Sequence, residues 1–276
     1  MALEDPEYSA ALQERYAAQP RPGKICWNDT ITTLLSHRSV RAYLPHALPD
    51  ATIERLVAAA QSASSSSNLN LWSVIAVTDP GIRAELARLA GDQRHIAEAP
   101  LILLWVADLA RAHKIGEPEG APTDALDYLD SFLTASIDAG LAAQNAVIAA
   151  ESLRLGTVYI GALRNKPEEV AALVDLPHQT LIVFGLVVGW PDPARSASIK
   201  PRPAQAAILH RDRYTNDAEA AAVADYDATL KDFQQGQGLP ASGWITSLLA
   251  RLANAASLNG RDRLRNVLAA RGFPLR

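Results

Sequence analysis

Two arginines, a histidine and a serine lie within the sequence HRSVR, residues 37–41. The four residues are His37, Arg38, Ser39 and Arg41. Arginine offers a planar fork of hydrogen-bond donors, so two of them beside a hydroxyl suit a phosphate group or the electron-rich edge of a ring. The same cations would also complement the negative end of a preceding helix. The spacing alone leaves both interpretations open.

Four consecutive serines, Ser64 to Ser67, stand between an alanine-rich helical pattern and an apolar run. A short polar tract of this kind is usually a solvated loop. Because this one is confined between a helix and a strand, a second interpretation is that its hydroxyls and backbone amides line a polar ligand.

Two further segments contain residues that could bind a ligand. The sequence KPRP holds Lys200 and Arg202 in an extended stretch, and TVYIGALRN places Gly161 after a strand, where glycine permits close backbone approach. Each segment alone is typical of an exposed linker or a plain turn. Together with HRSVR and the serines they offer cations, hydroxyls and a glycine turn, a combination that suits a planar ligand carrying phosphate.

The chain has no self-contained catalytic motif. The patterns G-x-S-x-G, H-E-x-x-H and C-x-x-C are absent, as are the Walker and Rossmann glycine patterns. The six histidines are scattered without metal-ligand spacing. If the protein is an enzyme, its chemistry is therefore expected to come from a bound cofactor.

Composition predicts a soluble protein. The 276 residues are 49% hydrophobic and 20% charged with a net charge of −4, which excludes a broad basic face for nucleic acid. The single cysteine, Cys26, favours a reducing compartment. The N-terminus lacks the apolar core of a secretion signal, and the longest apolar runs are shorter than the ~20 residues of a membrane span. We therefore expect a cytoplasmic protein with no membrane partner.

Hydrophobic periodicity predicts a mixture of strands and helices without strict alternation. Strands are predicted over residues 72–79, 101–108, 157–160 and 180–190. Helices are predicted at 30–37 after an Asp29 cap, 51–63 after an Asp50 cap, 80–90, 124–155, 166–174, 217–233 and 244–271. The segment 111–124, rich in proline and glycine, is predicted as a mobile loop.

The helix over residues 124–155 is the strongest helical signal. Its inner half is apolar nearly all round, and Ala135, Ala139 and Ala143 recur at a spacing of four. Small residues at that spacing let another helix approach closely. The helix is either a central core helix alone or a core helix whose small-residue face also meets a partner subunit.

Six segments in this order carry a family resemblance: HRSVRAY, ASSSSNLNLWSVIAV, GDQRHIAEAP, AAQNAVIAAESLRLGTVYIGALRN, VFGLVVGWP and IKPRP. They resemble the nitroreductase-like flavoprotein superfamily, in particular its oxygen-insensitive NADPH nitroreductase and flavin reductase P branch. The resemblance runs from about Thr30 to the C-terminus. It implies an α+β, three-layer fold with a central, mainly antiparallel sheet flanked by helices, and a homodimer with FMN at the subunit interface.

The resemblance also implies ping-pong chemistry, in which NADH or NADPH reduces FMN and a nitroaromatic, quinone or flavin then accepts the electrons. Transferred position by position, the expected FMN contacts are His37, Arg38, Ser39, Arg41, Ser65, Ser67, Gln93, Tyr159, Ile160, Gly161, Ala162, Lys200 and Arg202. Residues 29–276 are expected to form one FMN-binding domain. Residues 1–28 are an N-terminal extension with no counterpart in the shortest relatives.

The sequence departs from the family pattern in two functional places. Asn70 stands where relatives often have glutamine, so the pyrimidine edge of the flavin is expected to be held differently. The segment QQGQGLPASG lacks the arginines that bind the 2′-phosphate in relatives that prefer NADPH. Two other functions remain open: a different reductase chemistry, such as flavin supply or azo or chromate reduction, and a non-catalytic flavin-binding or sensor protein.

Overall fold

The computed structural model describes residues 6–17 and 28–276. Of the predicted N-terminal extension, residues 1–5 and 18–27 therefore lie outside the described residues. The described helices are α1 (Pro6–Tyr16), α2 (Asp29–Leu35), α3 (Thr52–Gln61), α4 (Pro80–Leu89), α5 (Arg94–Glu98), α6 (Ala110–Gly116), α7 (Leu129–Ser152), α8 (Pro167–Leu173), α9 (Glu219–Gly236), α10 (Gly243–Leu252) and α11 (Leu264–Ala270). The described strands are β1 (Trp72–Val77), β2 (Leu101–Asp108), β3 (Gly156–Ile160) and β4 (Thr180–Gly189).

The chain divides into two compact units, each formed by two separate stretches of sequence. Unit 1 contains Met1–Arg38 and Ser198–Ser257, and unit 2 contains Ser39–Ala197 and Leu258–Arg276. Helices α1, α2, α9 and α10 belong to unit 1. The other described helices and the described strands belong to unit 2.

Unit 2 is built on an antiparallel sheet with the strand order β1-β2-β4-β3. Strand β2 is buried along nearly its whole length because its sequence, LILLWVA, is continuously apolar. Alternate β2 side chains point to opposite faces. The two sets are Ile102, Leu104 and Val106 on one face and Leu101, Leu103 and Trp105 on the other. The first set packs with α4, α5 and α8 and the second with α3 and α7, which confirms the predicted α+β, three-layer arrangement.

Helix α7 is a core helix, but its small-residue face does not face outward. Ala135, Ala139 and Ala143 are each 0% exposed within the single chain. Ala143 lies in the same cluster as Leu56 and Ala60 of α3. The prediction that this face meets a partner subunit is therefore wrong, because the close approach that alanine permits is already used inside unit 2.

The opposite side of α7 carries an exposed apolar stripe. We define this α7 stripe as Leu129, Leu133, Ile137 and Leu141, which recur every four residues and are between 46% and 59% exposed. By length and composition α7 is also long and apolar enough to cross a membrane, a test that a buried core helix passes equally.

Two predicted helix caps are wrong by one residue. The Asn28 side chain, not that of Asp29, accepts a hydrogen bond from the backbone N of Ile31 at 3.0 Å. Helix α3 begins after Ala51, not after Asp50. Ala51 itself adopts the left-handed conformation, and no side chain caps the helix. Asn28 and Asp29 have similar capping propensities, so the path of the preceding chain decides between them at α2.

Two predicted segments differ in kind. The segment predicted as a loop over 111–124 contains most of α6, where the His113 ring lies 2.9 Å from the hydroxyl of Thr123 and 2.7 Å from the amide nitrogen of Gln179. The helix predicted over 244–271 is interrupted between α10 and α11. Gly260 adopts a φ of 85°, and a Cβ there would lie 2.9 Å from the carbonyl oxygen of Asn165.

In unit 1, α9 and α10 pack against each other through Tyr226 and Trp244, whose ring centroids are 5.5 Å apart. The Asp227 carboxylate of α9 joins them further, because it accepts from the backbone N of Ile245 on α10 at 2.8 Å, and it also pairs with Lys231 of its own helix at 2.7 Å. The N-terminus of α10 is therefore held by α9.

Candidate functional site

The segment after Arg38 lies along strand β3. The backbone N of Val40 donates to the carbonyl oxygen of Thr157 at 2.9 Å, and Ser39 forms a bridge with the same residue. A Cβ at Gly156 would lie 2.7 Å from the Val40 side chain, so this glycine permits the approach. The contact fixes Ser39 and Arg41 beside the start of β3.

Arg41 is exposed, and within residues 6–17 and 28–276 its guanidinium has no hydrogen bond or ion pair. Its charge acts on two neighbours. Burial lowers the pKa of His95 and Arg41 lowers it further, while burial raises the pKa of Tyr43 against a smaller opposing effect of Arg41. The Nε2 of His95 is buried without a hydrogen-bond partner in the described part of the chain. Within the described residues, the Arg41 guanidinium and the Nε2 of His95 therefore both lack a hydrogen-bond partner.

Gln93 immediately precedes α5 and is half-buried. Its side-chain nitrogen donates to the carbonyl oxygen of Ala90 at 2.8 Å, so one donor of the amide serves the local turn. The backbone N of Gln93 also donates, to the carbonyl oxygen of Ala87 at 3.2 Å. Both contacts fix the position of this residue.

The serine loop, residues 64–70, is fixed by a carboxylate on α7. The hydroxyl of Ser65 donates to Asp138 Oδ2 at 2.7 Å, and the backbone N of Ser66 donates to Oδ1 at 3.3 Å. The backbone N of Asn70 donates in turn to Ser65 Oγ at 2.9 Å. Because the Ser65 hydroxyl gives its only hydrogen to Asp138, this side chain has no donor left for a ligand.

The fixed loop presents other serines to solvent. Ser67, Asn68 and Asn70 all have positive φ, between 48° and 55°. The hydroxyls of Ser66 and Ser67 are exposed and have no partner among the residues that the structure describes. The serine run is therefore an ordered turn with free hydroxyls, and Ser67 retains the donor expected of a ligand contact.

Strand β3 ends in the turn expected beside the flavin ring. Tyr159 is 37% exposed, and its ring meets Phe184 edge to face at a centroid distance of 5.1 Å. Its hydroxyl donates to Gln144 Oε1 at 3.4 Å, and burial, followed by the charge of Glu151, raises its pKa. The next residue, Ile160, is 2% exposed, so its side chain belongs to the core and only its main chain remains for a ligand contact.

Gly161 and Ala162 continue into a 3-10 turn that ends at Arg164. The Arg164 guanidinium donates to the carbonyl oxygen of Val183, and it lies 3.4 Å from where a Cβ of Gly161 would be. Burial, and then Arg261, lowers the pKa of Arg164. Sequence reasoning did not select this half-buried cation, although it belongs to the segment GALRN.

The other four predicted residues belong to unit 1, in two basic segments that we define as residues 37–38 and 200–202. Arg38 and Arg202 are exposed, and within the described residues their guanidinium groups donate only to nearby carbonyl oxygens. Arg38 donates to that of Ser36 at 3.2 Å, and Arg202 donates to those of Lys200 at 3.3 Å and Pro201 at 3.5 Å. Arg15 contacts the carbonyl oxygens of both His37 and Lys200, which brings the two basic segments together. Sequence reasoning missed Arg15 and Asp138 because each acts through residues distant in sequence.

Within each unit taken by itself, the donors are of the types that suit a part of FMN. Its phosphate and the N1 edge of its reduced ring carry negative charge, and Arg38, Arg41 and Arg202 are exposed cations. The orphaned Nε2 of His95 and the free hydroxyls of the serine loop supply further polar atoms. Among the described residues there is no group of three or more histidine, cysteine, aspartate or glutamate side chains arranged to hold a metal.

The chain is similar to two protein-family models and to known proteins. The model described as "Nitroreductase family" matches residues 34–190, and "Nitroreductase family, C-terminal domain" matches residues 200–276. An FMN reductase (NADPH) from Bacillus subtilis is 35% identical over 251 residues, 89% of this chain and 98% of the relative. An oxygen-insensitive NADPH nitroreductase from Salmonella typhimurium is 37% identical over 209 residues, 76% of this chain and 84% of the relative.

A solved structure shows the same similarity. The structure of NfrA2 from B. megaterium is 37% identical to this chain, with a TM-score of 0.84. The similarity covers 91% of this chain and 100% of NfrA2. The residues matched by the two family models include every one of the predicted site residues, from His37 to Arg202. Helix α1 and its Arg15 lie outside both family-model matches.

Proposed function

The chain belongs to the nitroreductase family, and we propose that it oxidises NADH or NADPH and delivers the electrons to a nitroaromatic, quinone or flavin acceptor in a ping-pong cycle. It is an FMN-dependent NAD(P)H oxidoreductase. No observation favours the non-catalytic alternative. Membership in the family gives the reaction class, and we propose which residues of this chain support that reaction.

Transfer of a hydride from NAD(P)H and of electrons to an acceptor is the chemistry that bound FMN supplies. The protein must bind the cofactor, orient it and stabilise negative charge. The observation that carries our assignment is Arg41, an exposed cation without a partner among the described residues. A fixed cation at the ring edge stabilises charge as it develops, without the solvent reorganisation that water would need.

We assign the parts of FMN from the number of charges that each requires. The phosphate is close to a dianion at neutral pH and needs more than one cation, so we assign it to the basic segments of unit 1. Within unit 2, the residues that we propose as contacts of a flavin ring and its polar edges are Ser39, Arg41, the serine loop and Gln93. At the turn formed by residues 159–162, we propose that the exposed ring of Tyr159 and the main chain of Ile160 contact the flavin.

We propose that the protein is a homodimer held by the α7 stripe. Contiguous exposed apolar surface on a soluble chain marks an interaction site, and stable homodimers bury large, apolar interfaces. The stripe runs along four turns of one helix, and each member is at least 46% exposed in the single chain. A second copy packing on this helix face would bury all four side chains.

We propose a cytoplasmic location with no membrane or nucleic-acid partner, on the basis of the composition, the net charge of −4 and the single cysteine. The test of the function is anaerobic. The purified protein should be yellow, release FMN and not FAD on denaturation, bleach when NADH or NADPH is added, and regain its colour when a quinone or nitroaromatic follows. A colourless protein that takes up no added FMN would exclude this function.

A further inference from the structure

The N-terminal helix α1 ends in a buried arginine that joins the two basic segments of unit 1. Arg15 is 6% exposed. Its Nη1 donates to the carbonyl oxygen of Lys200 at 3.1 Å, and its Nη2 donates to those of Leu35 at 2.7 Å and His37 at 2.6 Å. His37 is 22 residues and Lys200 is 185 residues along the chain from Arg15. One side chain therefore sets the placement of two distant stretches of main chain.

The second basic segment is held at three consecutive residues. The backbone N of Arg202 donates to the carbonyl oxygen of Arg15 at 2.9 Å, so the last turn of α1 both gives and receives hydrogen bonds there. The hydroxyl of Tyr226 on α9 donates to the carbonyl oxygen of Pro201 at 3.0 Å. Helices α1 and α9 therefore fix the main chain on which Lys200 and Arg202 are mounted.

An arginine suits this position better than another cation. A guanidinium carries five donors in one plane and can serve three carbonyl oxygens at once, whereas the compact ammonium of lysine cannot span them with the same geometry. Two of the acceptors, on Leu35 and His37, lie at the end of α2, where helix carbonyl groups lack intrahelical partners. Arg15 therefore satisfies a helix terminus and positions a ligand segment with the same group.

The basic segments need such support because their cations repel one another. Holding several like charges in one region is unfavourable until an anion arrives, so the main chain must be fixed by other contacts. A site that is already arranged binds its ligand more tightly, because less conformational freedom is lost on binding. The three acceptors of Arg15 are main-chain oxygens of Leu35, His37 and Lys200, so these contacts do not involve the exposed guanidinium groups of Arg38 and Arg202.

We propose that Arg15 is a positioning residue for the FMN phosphate, and that the N-terminal helix is thereby part of the cofactor site of this protein. The inference rests on the proposed function, in which the two basic segments bind the phosphate. It assigns a role to a helix that lies outside both family-model matches while it contacts residues within each of them.

The test compares two flavins on full-length protein stripped of FMN. Dissociation constants for FMN and for riboflavin, which has the same ring and no phosphate, are measured by fluorescence quenching for the parent, Arg15→Gln and Arg15→Lys. Arg55→Gln is the matched control, because Arg55 is exposed on α3 and the one hydrogen bond of its guanidinium within the described residues is to the carbonyl oxygen of Asp50 at 3.3 Å. Thermal unfolding of each variant is followed in parallel. If Arg15→Gln does not fold, Arg15→Lys carries the same comparison.

We expect Arg15→Gln to raise the FMN dissociation constant about tenfold or more, with a smaller rise for Arg15→Lys and less than about a twofold change for riboflavin in either. An unchanged FMN constant would overturn the inference. An equal rise for FMN and riboflavin would also overturn it, because Arg15 would then only stabilise the fold. A parent that binds no FMN would instead overturn the proposed function itself, and the inference with it.

Discussion

The hydroxyl of Ser65 and the carboxylate of Asp138 lie 2.7 Å apart, although 73 residues separate them in the sequence. Asp138 is 3% exposed in the middle of the apolar helix α7, and its hydrogen-bond donors in the described chain are Ser65 and the backbone N of Ser66. The buried charge is therefore satisfied by the serine loop, and the loop in turn owes its conformation to that charge.

We predict that Ser65→Ala lowers the free energy of unfolding by about 1.5–3 kcal/mol, because it removes a hydrogen bond to a buried charged group. Urea unfolding of the FMN-free protein measures the change. Ser66→Ala is the control, since the Ser66 hydroxyl has no partner among the described residues, and we expect its effect to stay within about 0.5 kcal/mol. Equal losses in the two variants would contradict this account of the loop.

Replacing Arg41 or Arg202 with glutamine should weaken FMN binding by about one to two decades, which corresponds to losing a hydrogen bond to a charged group. Ser39→Ala should cost less, about 0.5–1.5 kcal/mol. Fluorescence titration gives the dissociation constants, with Arg154→Gln as an exposed arginine control in unit 2. If both arginine variants bind FMN as tightly as the parent, the assignment of these residues is wrong.

The α7 stripe gives a prediction about assembly. Ile137 is 59% exposed at the centre of the stripe, so Ile137→Lys places a charge in the proposed interface and should yield monomers. Light scattering after size-exclusion chromatography reports the mass. Ile115→Lys, at a residue 63% exposed on α6 and outside the stripe, should leave the dimer intact. A dimeric Ile137→Lys protein would place the interface elsewhere.

His95 gives a prediction about pH. Burial and Arg41 lower its pKa in the folded chain, against a smaller opposing effect of Glu98. The unfolded chain, with a histidine pKa of about 6.5, therefore binds more protons over the interval between the two values. Stability contributed by neutral His95 should be present above about pH 6.5 and be lost as the pH falls towards the folded value. His95→Gln should flatten this dependence in urea unfolding between about pH 5 and pH 7.5; parallel curves would refute it.

The choice of electron donor is a further prediction. Gln234 and Gln237 are neutral and already engaged, since Gln234 accepts from the backbone N of Gly243 at 2.8 Å and Gln237 accepts from Ser198 at 2.8 Å. Neither can offset the charge of a 2′-phosphate. We expect weak discrimination between the donors, or a preference for NADH. A kcat/KM ratio of NADPH over NADH above about a hundred, or about 2.7 kcal/mol, would require another cation to bind that phosphate.

The sheet was predictable because each strand carries its own signal. Strand β2 coincides with the predicted residues 101–108, since a continuous apolar run bounded by Pro100 and a charged residue can be buried on both faces without distant information. Helix α6 was not predicted, because the segment is rich in proline and glycine and a side-chain contact that holds the helix reaches Gln179, which is 66 residues from His113. The small-residue face of α7 was wrongly predicted to meet a partner subunit, because small residues indicate that another element approaches closely but do not indicate which one.

The candidate site was also only partly predictable from the sequence. The residue types of the binding segments are visible in the sequence, and their roles as FMN contacts stay predictions, as does the extent of one FMN-binding domain over residues 29–276. What the sequence could not show is which hydroxyl is already used, as at Ser65, and which side chains support the segments from behind. Asp138 offered the one available signal, a lone acid within an apolar helical stretch.

The hydrogen bond between Arg15 and Lys200 has a consequence for biosynthesis. The two residues are 185 positions apart, and ribosomes add about 5–20 residues per second, so roughly 10–40 s pass between their appearance. During that interval α1, α2 and residues 37–38 emerge without the partners that complete unit 1, whereas strands β1 to β4 are already available to pair. A nascent chain that stops before residue 198 would thus lack the whole second stretch of unit 1, and cofactor loading should wait until nearly the full chain has been translated.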